Sequence, residues 1–115
     1  MQTTVAVDAL SRLTEDVRSA AWLLADDDPL RGYVEMLAAL PPEADAWYEV
    51  LRPWLDDARH GRGPRLEEPG QLAVAGALGV AALSAARDLP HDAPLTAALR
   101  TAARWCFFLV RPDAH

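Results

Sequence analysis

The sequence predicts an all-α domain: a compact bundle of five helices, or six if the third breaks at an internal proline, packed around a central helix of small residues. Three observations predict it. Apolar residues recur at alternating steps of three and four, the spacing of a single helix face. Prolines stand where helices should start or stop, with Pro53 the exception. No stretch of four or more residues alternates apolar with polar as a half-buried strand would, and β-branched residues are few. At 115 residues the chain has the size of one domain, 1–115. A chain of that length buries roughly two-thirds of the surface its unfolded form exposes, with no need of a disulfide or a structural metal.

The first helix is expected from Thr4 to Ala25, with Ala6, Leu10, Leu13, Val17, Ala20 and Leu24 as its apolar seam. Asp26-Asp27-Asp28 follows. Acids oppose the dipole of a helix C-terminus, so the triple belongs to the next element, with Asp28 as N-cap and Pro29 at the first helical position. That second helix, Pro29 to Leu40, turns Leu30, Val34, Leu37 and Met36 to one side and stops at Pro41-Pro42. A third starts near Glu43, and its apolar face holds Trp47, Val50, Leu51, Trp54 and Leu55. Pro53 lies inside it. An interior proline costs about 3 kcal/mol in a straight helix, so a kink or break near Leu51-Arg52 is expected.

Residues 59–65, Arg-His-Gly-Arg-Gly-Pro-Arg, read as a loop. After it, Pro69 opens a helix to Asp88 that is small and apolar on nearly every side, the pattern of a buried inner helix. Within it Leu78-Gly79-Val80-Ala81-Ala82-Leu83 resembles the segment around the attachment serine of acyl carrier proteins. Ala82 stands where that serine would be, so the family's function is not carried over. The last helix, expected to be capped by Asp92 ahead of Pro94, presents Leu95, Ala98, Leu99, Ala102, Cys106 and Leu109 on one side and stops at Arg111-Pro112. The first and last helices are similar in length and are candidates to pack on each other.

Charge is divided unevenly along the chain. Residues 1–57 carry a balance of −8 and residues 58–115 a balance of +2, for a net −6. Net acidity argues against nucleic-acid binding, which depends on neutralising phosphates with Lys and Arg. There is no lysine, asparagine or isoleucine, residues with A/T-rich codons, which points to a high-GC bacterial genome. A single cysteine, Cys106 among Trp105, Phe107 and Phe108, suits a reducing compartment, and the N-terminus shows no export signal, so a cytoplasmic setting is expected. The longest apolar run, Leu72–Ala86, is shorter than the roughly 20 residues a spanning helix needs, so no membrane is expected either.

Two positive groups stand out. Arg59, His60, Arg62 and Arg65 form a glycine-flanked cluster able to hold an anion through guanidinium forks and backbone amides. Arg100 and Arg104, with Arg111 a further seven residues on, share a face of the last helix opposite its apolar stripe. That rail is free to dock an acidic partner, to lie against Asp16, Glu35 or Glu49 of the same chain, or to be solvated. An apolar ligand, if there is one, is expected near Trp47, Tyr48 and Trp54, where a broken helix would leave an aromatic-walled concavity. Trp22, beside the seam of the first helix, is the tryptophan most available to a partner.

Asp57/His60 and Asp88/His91 have a carboxylate and an imidazole three apart but fall at helix ends, away from any inward-facing set of further ligands, so no metal is expected. No serine or cysteine lies in a catalytic context, and no cofactor motif is present. The leading expectation is a non-catalytic interaction or regulatory module working as a homodimer or on a protein partner. The alternative is a small accessory enzyme or binding protein that holds an apolar or anionic small molecule in an aromatic pocket.

Overall fold

The structure, a computed structural model, describes residues 2–60, 66 and 68–110, the side chains of 2–5 and 58 excepted. The chain is an all-α bundle; its described residues are 80% helical and include no strand. Its five helices are α1 (Gln2–Ala21), α2 (Pro29–Ala38), α3 (Ala44–Arg59), α4 (Pro69–Asp88) and α5 (Pro94–Val110).

Prolines open three of them as expected. Asp28 is extended at φ −70, ψ 126 and its carboxylate accepts from the Leu30 amide at 2.9 Å, so the N-cap is formed and Pro29 follows it. The same carboxylate also accepts from Gln71 Nε2 at 3.1 Å, while Gln71 Oε1 accepts from the Glu68 amide at 3.3 Å. One glutamine thus completes the start of α4 and ties it to the start of α2. At the α4–α5 turn, Thr96 is fully buried, and its hydroxyl donates to the Pro90 carbonyl at 2.6 Å. A buried hydroxyl is costly without such a partner, so this bond fixes how α5 leaves the turn.

α1 ends at Ala21, four residues earlier than its apolar pattern suggests. Trp22, Leu23 and Leu24 instead donate to the carbonyls of Ser19, Ala20 and Ala21, three residues back. This tightened turn keeps Leu24 in the core while the acidic triple stays clear of the helix end. α3 is one continuous helix despite Pro53, so the described residues form five helices and not six. Pro53 and Glu49 are both solvent-exposed, and the carbonyl that proline deprives of its partner, that of Glu49, can turn to water instead of breaking the helix.

The helices pack in the order α2, α1, α4, α5, α3. α1 and α5 are therefore not partners, because α4 lies between them. The ring closes where Tyr33 of α2 meets Trp54 of α3 edge to face, with centroids 5.6 Å apart. One core cluster draws on all five helices, with Leu10, Val17, Val34, Trp47, Val74 and Leu99 among its most buried members.

α4 is the inner helix, as its composition suggests, yet it is not enclosed. Gly79 lets α5 come close, since a Cβ there would stand 2.8 Å from the Phe107 ring. The opposite stripe, Ala73, Ala77, Val80 and Ser84, faces solvent. α4, 20 residues long, is also long and apolar enough by length and composition to cross a membrane, and 39% of its most apolar 18-residue window is buried inside this fold.

Candidate functional site

The outer face of α5 follows from its register. Leu95, Ala98, Leu99 and Ala103 are buried in the core, so the residues half a turn away must face out. These are Ala97, Arg100, Thr101, Arg104 and Phe108, all exposed. Trp105 sits beside them and stacks on Phe108 with centroids 5.4 Å apart and planes 18° apart. The arginine rail is therefore real as far as the described residues go, and Arg111 lies outside them.

Its electrostatics set it apart from four of the other arginines, though not from Arg59 and Arg87, which also have no ion pair among the described residues. Arg12 is paired with Asp88, Arg18 with Glu15, Arg31 with Asp26 and Glu35, and Arg52 with Glu49. Arg100 and Arg104 pair with no carboxylate among the described residues, and Arg100 instead donates to His91 Nδ1 at 3.2 Å. The rail does not rest on Asp16, Glu35 or Glu49. Glu35 and Glu49 are taken by arginines one turn away on their own helices.

The other positive group is only partly in view. Arg59 and His60 end α3 and are exposed, and His60 Nδ1 lies 2.8 Å from the Asp56 carbonyl oxygen. Arg62 and Arg65 lie outside the described residues.

The three aromatic residues expected to wall one pocket are dispersed. Trp47 is buried in the core, Trp54 is held by Tyr33, and Tyr48 lines a shallow open groove of about 620 Å³ along α3 with Arg52, Pro53, Asp56 and Arg59. The reason is the unbroken helix. Trp47 and Trp54 are seven residues apart and share an inward-tilted face, while Tyr48 is turned about 100° from Trp47 toward solvent. Asp88 of the second carboxylate–imidazole pair is occupied by Arg12 and His91 by Arg100, and no three potential metal ligands converge among the described residues.

Burial lifts the Cys106 thiol from its ordinary 9.0 to about 11. A thiol that stays protonated is a poor nucleophile. Cys106 should therefore resist an alkylating reagent at pH 8 in the folded protein and react at once in denaturant, as intact mass would record. Because the unfolded thiol releases its proton near pH 9 and the folded one near 11, stability should fall as pH rises through that window. Cys106→Ser should flatten that part of the curve.

Trp22 is exposed, as its position beside the seam suggests, and is the most exposed large apolar side chain at 77%. What the sequence did not reveal is its support. Arg31 lies over the indole at 5.6 Å while its guanidinium bonds the Leu24 carbonyl at 3.1 Å, Asp26 at 2.5 Å and Glu35 at 3.0 Å. The spacing of Arg31 to Glu35 was a visible helix-pair signal; its reach back to residues 24 and 26 was not. Compared with known proteins, the chain matches no family model, no curated protein and no solved structure.

Proposed function

We propose that the chain is a non-catalytic interaction module that binds a protein partner through the outer face of α5. One observation carries this reading: Arg100 and Arg104 stand exposed beside a stacked aromatic pair, with no carboxylate partner among the described residues, in a chain of net charge −6 whose Arg12, Arg18, Arg31 and Arg52 each have one and whose Arg59 and Arg87 do not. Arginine and aromatic residues dominate binding energy at protein interfaces, and a planar guanidinium grips a carboxylate through two parallel hydrogen bonds. Pairing among the described residues does not account for the rail, and an acidic surface brought by a partner would complete it. A small-molecule pocket has less support, because its three aromatic residues do not converge. Composition favours a cytoplasmic setting in a high-GC bacterium.

The test is a photo-crosslinking residue at Thr101, which is exposed on the same face. Irradiation in cells should give a discrete adduct, and Arg100→Glu with Arg104→Glu should abolish it while the thermal melt stays put, as surface substitutions usually leave stability within about 0.5 kcal/mol. A crosslinker on α3's exposed Asp45 should give no such adduct. The absence of any adduct at residue 101, or an adduct indifferent to charge reversal, would refute the proposal.

A further inference from the structure

We infer that the partner of the α5 face is a second copy of this chain, docked head to tail through its Trp22 corner; the inference rests on the reading of α5 as an interaction surface. The corner is the turn between α1 and α2. It presents Trp22 and Leu23, 77% and 50% exposed, rimmed by the exposed carboxylates of Asp26 and Asp27. Its geometry is set before anything binds. Arg31, its side chain only 18% exposed, backs one side of the indole and bonds Leu24, Asp26 and Glu35, so little freedom remains to be lost on docking.

The two surfaces are opposites in charge and alike in shape of chemistry. One is an indole and a leucine edged by carboxylates; the other is a stacked indole–phenyl pair edged by Arg100 and Arg104. A guanidinium from α5 could lie on the side of Trp22 that Arg31 does not cover and bond the adjacent acids. Within one copy no ion pair joins the two: among the described residues Arg100, Arg104 and Asp27 each have none. Their union therefore requires two molecules.

Symmetry then selects the arrangement. A two-fold dimer centred on α5 would set Arg100 and Arg104 against their own copies, and like charges face to face are penalised. Pairing corner to face once per pair of copies joins unlike surfaces in a heterologous contact, and a closed dimer that makes it twice is the outcome sedimentation must exclude. Each added copy leaves one free end of each kind, so growth continues until a ring closes.

Two double variants separate this from other modes of association. Trp22→Ala with Asp27→Arg disables the corner alone and leaves Asp26 in the Arg31 network; Arg100→Glu with Arg104→Glu disables the α5 face alone. In sedimentation velocity at rising concentration, the wild-type chain should grow past the dimer, and each variant alone should stay monomeric. An equal mixture of the two should give a one-to-one heterodimer of about twice the 12.5 kDa chain mass that grows no further. A wild-type protein that remains monomeric or stops at a dimer, or a variant mixture that stays monomeric, overturns the inference. If the purified chain is monomeric but the residue-101 crosslinker captures a different protein, sensitive to charge reversal, the interaction module stands and only the self-docking fails.

Discussion

Replacing Trp47 with alanine should lower the unfolding free energy by about 3–5 kcal/mol, a large part of what a domain of this size has. Trp47 is 2% exposed and is the largest fully buried side chain, so its removal opens a cavity where α3 enters the core. Phenylalanine at the same site should behave quite differently. The indole Nε1 is buried without a hydrogen-bond partner among the described residues, and an unsatisfied buried donor costs about 1–3 kcal/mol. Trp47→Phe gives up some packing area and removes that unpaired group, so the two effects oppose each other and the net loss should be about 1 kcal/mol or less. Denaturant melts followed by circular dichroism would measure both, with the slope against denaturant unchanged. Equal losses for the two substitutions would mean that the indole N–H contributes rather than costs.

Two glycines of α4 should respond to alanine with opposite signs. Helix propensity alone favours alanine at both by up to about 1 kcal/mol. At Gly76 an added Cβ meets nothing within 4 Å, so Gly76→Ala should stabilise by about 0.5–1 kcal/mol. At Gly70 the same Cβ would stand 2.6 Å from the Leu23 carbonyl oxygen. That oxygen belongs to the backbone of the tightened turn after α1, where no side chain can swing aside, so either the turn or the first turn of α4 must move. Gly70→Ala should destabilise by about 1–3 kcal/mol, the usual cost of overpacking. A stabilised Gly70→Ala would show that the α1–α2 turn does not press on α4 as described.

The elements were largely legible where local chemistry decides them. Asp28-Pro29 and Pro69 mark helix starts through capping and fixed φ, which need only neighbouring residues, and α4 runs over the span expected from them. Pro53 misled because the damage a proline does depends on whether the freed carbonyl faces water, and that is a property of the fold. The exposed stripe of α4 was hidden for a related reason. A helix apolar on every side carries no marker of which side its neighbours will leave uncovered. The site was half legible: the spacing of Arg100 and Arg104 gave their common face, and the local pairs Arg31–Glu35 and Arg52–Glu49 were in plain view as competitors for the acids. The aromatic trio failed because its convergence depended on the break that α3 does not make.

The order in which the helices pack bears on how the molecule comes apart. α4 and α5 share the closest interface, whereas α2, only ten residues long, is held by α1, by the Asp28–Gln71 link and by the Tyr33–Trp54 contact. An isolated helix of that length is marginal in water. Opening at the α2–α3 seam breaks the Tyr33–Trp54 contact and leaves the α1–α4 and α4–α5 interfaces in place, so it is expected to cost less than separating α4 from α5. Because Arg31 belongs to α2 and is bonded to Leu24 and Asp26 of the preceding turn, only the release of α2 from α1 would withdraw the cation behind Trp22, and opening the seam alone leaves the corner its shape.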